Sequence, residues 1–267
     1  EENNVELPKT FDEFLDVCTT FQNAGVTPLA AGLKSWEPLL KSSMAFVTAE
    51  YLSTDEGKGF GEKYRNGEVT MDGTWNPYIE TWSQLIDNGV YTADMTGIDH
   101  DQALEQFATG GSAMFCSGPW DYDAIMEKNP ELQLDMMPFY GTKESAGWLI
   151  GGPGCGFAAN AASKNLDAVK EVLAAISTVD GQTALWQNNQ GGSSYLNGVE
   201  FDLPEAYTSV SDALAAGNVY CPWNEWGAAA GAHETYGTEM QSYLLGSQDL
   251  ATTLQNVDTA VEELLSK

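Results

Sequence analysis

Apolar residues recur at helical spacing through most of this chain, and short apolar runs, too brief for helices, separate the helical stretches. Phe11, Phe14, Leu15, Cys18 and Phe21 share one helical face. Thr10, followed three residues later by Glu13, forms a capping box ahead of it. Gly25 stops that helix, and residues 26–31 predict a short strand. Trp36-Glu37-Pro38 opens a second helix that runs to about Ser53, with Leu39, Leu40, Phe46, Val47 and Leu52 apolar. Residues 55–73, polar and glycine-rich, predict a surface loop or a short irregular helix. Pro77 begins a helix carrying Ile79, Trp82, Leu85 and Ile86, which Gly89 closes. Trp75 and Trp82 belong with the core by this placement.

The chain is organised around residues 107–120. Asp99 and Asp101 cap a helix ending near Phe107, and Gly110-Gly111 gives a stop with access to positive φ. Ala113-Met114-Phe115-Cys116 reads as a strand buried on both faces. Ser117-Gly118-Pro119 ends it, since Pro119 has no amide proton for a ladder and suits the first position of a helix. Trp120 is thereby placed at the carboxyl end of a buried strand, where open α/β sheets hold ligands. There it is either a flat platform for a sugar ring or a core filler at a helix start.

A helix to about Lys128 follows, then a strand over residues 132–138 and a turn over residues 141–145. Residues 148–159 are extended and glycine-rich, as suits a strand passing between two lobes. Residues 165–177 and 180–187 predict helices, residues 188–202 a polar loop, and residues 205–216 another helix. Residues 218–226 cross back, and two helices close the chain, the last with Leu250, Leu254, Val257, Val261 and Leu264 on one stripe. Helices alternating with short strands give an α/β fold. No internal repeat or low-complexity tract interrupts the pattern.

Charge narrows the partners. With 39 acidic residues against 11 basic ones and a formal charge of −28, nucleic acid and anionic lipid surfaces are repelled. No run approaches the ~20 apolar residues of a membrane span, and no signal peptide is expected in this sequence. The 43% apolar content fills a core over 267 residues, enough for one large or two ordinary domains. Cys18, Cys116, Cys155 and Cys221 show no C-x-x-C spacing, so no metal cluster is expected. Cys155 and Cys221 both flank crossover segments, where a bridge is one option and free thiols the other.

Catalytic patterns fail on inspection. Gly151-Gly152-Pro153-Gly154-Cys155-Gly156 has Phe157 where a dinucleotide loop needs its third glycine, so it reads as a hinge or a close backbone approach. His233-Glu234 has half of a zinc-protease motif, but Gly237 replaces the second histidine. Asp121 and Asp123 follow Trp120, and Glu225 lies between Trp223 and Trp226. Carboxylates beside indoles fit sugar binding, because they accept from hydroxyls while the rings stack. A hydrolase would need two such carboxylates at a set separation.

Several segments together resemble the family 1 extracellular solute-binding proteins of ABC transporters. Pro8-Lys9-Thr10-Phe11-Asp12-Glu13-Phe14 is similar to the family's segment after its first interlobe crossing. Phe107-Ala-Thr-Gly-Gly-Ser-Ala-Met114 with Ser117-Gly118-Pro119-Trp120 is its most specific signature. Ser163-Lys164-Asn165 with Ala168, and Ser177-Thr178 with Gly181-Gln182, match later helices. The resemblance implies a periplasmic-binding-protein-like (type II) two-lobe α/β fold, non-enzymatic, with no cofactor. It implies capture of a carbohydrate for membrane permease subunits, outside the cell or in the periplasm, with a lipid anchor on a missing N-terminus. Trp120 matches the family's sugar-stacking tryptophan, while Trp36, Trp223, Trp226 and Trp148 fall in or near segments lining its cleft. Much of the N-terminal lobe that precedes the Pro8 segment in the family is absent here. On that reading residues 1–152 and 219–267 form a complete C-terminal lobe and residues 153–218 the rest of the other. The partial lobe is then expected to weaken sugar binding and to promote self-association. The alternatives are a carbohydrate-active hydrolase and a sugar sensor or adhesion module without transport.

Overall fold

The computed structural model describes residues 5–152, 156–187, 194, 196–199, 204–226 and 231–266. Helix α1 (Phe11–Asn23) starts where the capping pattern places it, with Thr10 Oγ1 accepting from the Glu13 amide at 3.3 Å. The Glu13 carboxylate reaches back to the Lys9 amide at 2.7 Å rather than to Thr10, one residue beyond a standard box. Strand β1 (Thr27–Ala30) leads to α2 (Glu37–Val47), which continues as a π-helical turn over Thr48–Leu52. Three short helices, α3 (Phe60–Arg65), α4 (Asn76–Trp82) and α5 (Gln84–Asp87), fold under it. Phe60 and Tyr64 bury one side of α3, so the polar segment is pinned by two aromatics.

Helix α6 (His100–Ala108) carries a complete capping box between Asp99 and Gln102. It feeds β2 (Ser112–Phe115), parallel to β1 with Leu29 opposite Met114 and Ala30 opposite Phe115. Helix α7 (Tyr122–Lys128) comes next, then β3 (Leu149–Ile150), α8 (Leu166–Ile176) and α9 (Val179–Trp186). The chain finishes with α10 (Thr208–Ala215), β4 (Val219–Tyr220), α11 (Pro222–Glu225), α12 (Ala232–Leu244) and α13 (Leu250–Leu265). Strands β3 and β4 are also parallel, pairing Leu149 with Val219 and Ile150 with Tyr220.

The core is aromatic. Trp75, Trp82, Trp226, Tyr91, Tyr236 and Phe11 are fully buried among α1, α2, α4, α12 and α13. Tyr236 meets Trp75 edge-on at 5.7 Å and Trp226 at 6.1 Å between centroids, the arrangement an aromatic quadrupole favours. Its hydroxyl pairs with Ser43 Oγ at 2.8 Å, so the buried polar tip is satisfied across α2 and α12. Helix α13 buries Leu250, Leu254, Val257 and Val261 on one stripe.

The structure revises two expectations. Residues 132–138 are extended without pairing as a strand, and Met136 instead donates to the Ala206 carbonyl at 2.7 Å. Strand β2 is buried at Ser112 alone, and Ala113, Met114 and Phe115 are half-exposed on an open cavity. A run of apolar residues does not distinguish a strand covered twice from one facing an apolar cleft. Within the 153–218 stretch the described residues divide. Tyr207 and Val210 pack against Tyr122, Leu134, Met136 and Leu149, on the side of the main body. Helices α8 and α9 pack on each other, and neither buries a residue fully.

Candidate functional site

The four strands end at one kind of chemistry. Their carboxyl ends run into Ala31-Gly32, Cys116-Ser117-Gly118, Gly151-Gly152 and Cys221-Pro222-Trp223. Small residues there let other groups come close. A Cβ on Gly152 would meet Cys221 Sγ at 2.5 Å, and one on Gly32 the His100 backbone at 2.8 Å. Within Gly151-Gly152 the close approach is therefore at Gly152 alone, to the Cys221 side chain, and Gly151 has open space around it. Pro153, Gly154 and Cys155 lie outside the described residues, and with them the proposed Cys155–Cys221 bridge.

Trp120 stands on a 3₁₀ turn, Pro119–Asp121, immediately beyond β2, and is 52% exposed. A Cβ on Gly118 would come within 2.3 Å of the benzo ring of Trp120, so the indole lies against a position only glycine fills without a shift. Asp121 fastens the turn from beneath. It is 5% exposed, and one carboxylate oxygen faces His100 Nε2 at 2.9 Å while the other accepts from Ser117 Oγ. Tyr207 Oη donates to the Pro119 carbonyl at 3.4 Å. The turn is held from α6 and from the segment before α10, and the Trp120 ring is held out.

In front of it lies a cavity of about 1930 Å³. Trp120, Trp148, Phe115, Lys41, Phe157 and Trp186 are among the residues that line it. Its volume is about twice the ~1,000 Å³ upper end of ordinary small-molecule pockets. Among the described residues no group of three or more His, Cys, Asp or Glu side chains is placed to hold a metal, and no helix is long and apolar enough to cross a membrane.

The model of the family described as bacterial extracellular solute-binding protein matches residues 2–208. The chain belongs to that family. No curated protein matches it by sequence. Solved structures of binding proteins share its fold. A sugar transporter from Bacillus licheniformis in complex with stachyose superposes with a TM-score of 0.78 at 17% identity, over 98% of this chain and 68% of that one. The solute-binding protein RafE in complex with raffinose gives 0.78 at 17%, over 99% and 68%. A family 1 extracellular solute-binding protein from Bifidobacterium longum subsp. infantis gives 0.73 at 20%, over 98% and 68%. This solute-binding protein therefore has the two-lobe α/β architecture of its family, and spans about two thirds of the length of these relatives.

The remaining indoles of this solute-binding protein take different places. Trp36 and Trp223 are half-buried and hold the His233 ring between them, at 5.5 and 5.8 Å between centroids. The half-motif histidine is thus an aromatic partner. Trp223 Nε1 is 3.8 Å from where a Gly152 Cβ would stand, which sets this cluster at the β3–β4 edge. Trp148 is half-buried and pairs its backbone with Phe139. Trp226 is a core residue at 2% exposure, packed on Trp75, Tyr64 and Tyr236. A ligand cannot stack on it without unpacking the core. Asp121 is buried, with one carboxylate oxygen at His100 and the other at Ser117, so it serves the turn rather than facing the open cavity. Glu225 is exposed, and its carbonyl accepts from Arg65 Nη1 across to α3.

Sequence reasoning overlooked Lys41, Phe157 and Trp186. Trp186 Nε1 donates to Gln182 Oε1 at 3.2 Å, which turns the indole along α9. Its place beside Leu185 in the last turn of α9 was the available signal. Cys116 lies in the cavity wall, but burial raises its thiol above the usual range, and the Tyr91 hydroxyl sits 3.6 Å from its sulfur. A thiol held protonated is a poor nucleophile.

Proposed function

We propose that this chain is the carbohydrate-binding part of a bacterial ABC sugar importer, non-enzymatic, which captures a sugar or oligosaccharide and presents it to membrane permease subunits. The observation that carries the reading is Trp120. It is a half-exposed indole fixed by Gly118 and Asp121 at the carboxyl end of a parallel strand, over a cavity lined by further aromatic rings. The C–H face of a pyranose is apolar and matches such a surface, while its hydroxyls need only a few polar partners. The volume suits an extended ligand. Relatives of the same fold hold stachyose and raffinose, both oligosaccharides. The acid–indole neighbours that a hydrolase would use are poorly placed for it: Asp121 is buried with both carboxylate oxygens in hydrogen bonds, and neither Asp123 nor Glu225 lines the cavity.

In this reading Trp120 and Trp148 meet the ligand in the cavity, Trp36 and Trp223 stand beside it in the His233 cluster, and Asp121 positions Trp120. Residues 5–152 and 219–266 act as one lobe, and α8 and α9 belong to the other. A lipid anchor at the outer face of the membrane suits the role. Calorimetric titration against a glycan panel including raffinose and stachyose tests it. We expect binding of at least one oligosaccharide, weakened in Trp120→Ala, with the sugar recovered intact by chromatography. A panel with no binder, or binding indifferent to Trp120→Ala, overturns the reading.

A further inference from the structure

An ammonium stands over the Trp120 ring. Lys41 Nζ lies 4.3 Å from the ring centroid, well inside the range at which an ammonium is drawn to an aromatic face. The same ammonium sits 3.1 Å from Glu37 Oε2, one turn back on α2, and the Lys41 side chain is only 19% exposed. An acid four residues before a lysine holds that lysine along the helix surface, here in the direction of the ring. Lys41 is the only basic side chain among the described residues lining the cavity. Gly118 lets the benzo ring lie close against the backbone, where any side chain would push the indole aside.

A sugar ring stacked on an indole lies at van der Waals contact over the centroid, and an ammonium at 4.3 Å takes that space. Ligand and lysine compete for one face. We infer that Lys41 is a displaceable cover on Trp120, and through that competition a specificity-determining residue of the cleft. The ligand-free protein satisfies its own platform, and a ligand gains the face only by offering more than the ammonium did. Weakly stacking apolar molecules fail that comparison. A ring that adds hydroxyl hydrogen bonds elsewhere in the cavity passes it. Displaced from the indole, the ammonium remains on Glu37, so no charge is left unpaired.

The cover itself does not depend on the ligand; its competition with a sugar rests on the carbohydrate reading above, and two measurements separate the parts. In the first, the Lys41 ε-methylene resonances of the ligand-free protein are recorded by NMR. Ring current from Trp120 is expected to move them upfield, and Trp120→Ala to return them to ordinary lysine positions. Ordinary positions that do not respond to Trp120→Ala overturn the cover. In the second, raffinose is titrated into the protein and into Lys41→Ala. The upfield shift is expected to collapse at saturation, and Lys41→Ala to bind about two- to fivefold more tightly, which is the reciprocal of an exposed cation–π contact. Raffinose bound with the shift intact, or bound equally or more weakly by Lys41→Ala, overturns the competition while leaving carbohydrate capture standing. No raffinose binding by either protein overturns the competition for this sugar, the rest of the glycan panel decides the carbohydrate reading, and the cover is decided by the first measurement alone.

Discussion

The main body and the α8–α9 hairpin are built from helices of the same kind, yet one buries its apolar face and the other does not. Helix α13 buries Leu250, Leu254, Val257 and Val261, and α1 buries Phe11 and Cys18. Helix α8 carries Val169, Val172, Leu173 and Ile176 on an equally clear stripe, but Val172 is 60% exposed and no residue of α8 is buried. Amphipathic spacing tells which side of a helix seeks cover. It does not tell whether cover is present. Leu173 and Ile176 line the large cavity, so the same periodicity builds a core in one region and the wall of a cleft in the other.

Alkaline pH should act on the body with the largest effect. Burial raises the hydroxyls of Tyr91 and Tyr236 well above the usual tyrosine range, and pushes Tyr207 up to about 12. Tyrosines so raised stabilise the fold fully below the unfolded value of about 10, and that contribution is lost as pH climbs through the folded values. Core ellipticity followed against pH should collapse above about 10, whereas the tyrosine-free α8 and α9 feel only the loss of the body. A body indifferent to pH up to about 12 breaks the comparison.

Single substitutions sharpen it. Trp75→Ala, at the centre of the aromatic core, should cost about 3–5 kcal/mol in urea unfolding. Ser43→Ala removes the partner of the buried Tyr236 hydroxyl and should cost about 1–3 kcal/mol, the penalty of an orphaned polar group. Trp120→Ala should leave unfolding unchanged and weaken oligosaccharide binding by about 0.5–1.5 kcal/mol, the worth of an aromatic contact. At the small end, Leu173→Asp should shift unfolding by less than about 0.5 kcal/mol. Light scattering on the same variant should show less self-association than the parent, because a charge then interrupts the exposed apolar face. A large loss of stability in Leu173→Asp would place α8 inside the core after all.

How much could be read beforehand follows from the physics of each signal. Capping boxes and proline starts located α1, α2, α6 and α7 to within a residue or two, since caps act over three or four residues and need no distant partner. Trp120 was legible because strand, glycine and proline precede it in the chain. The separation of Trp226 from Trp223 was not legible. Three residues apart in sequence, one faces the core and the other the strand edge, and only tertiary packing decides between them. The strand expected over residues 132–138 failed because a strand needs a neighbour, and sequence pattern supplies none. Lys41 escaped notice for a related reason: its meaning lies in a ring 79 positions away, and nothing local to α2 marks it.

The π-helical turn at the end of α2 has one more effect. It carries Glu50, whose carboxylate takes the Thr142 amide at 2.6 Å and its hydroxyl at 2.9 Å, tying down the loop that leads to Trp148. Lys41 lies nine residues earlier on the same rod, roughly 13 Å away along its axis. The cover on one indole and the tether of another are therefore mounted on a single rigid beam, and any tilt of that beam moves the two in step.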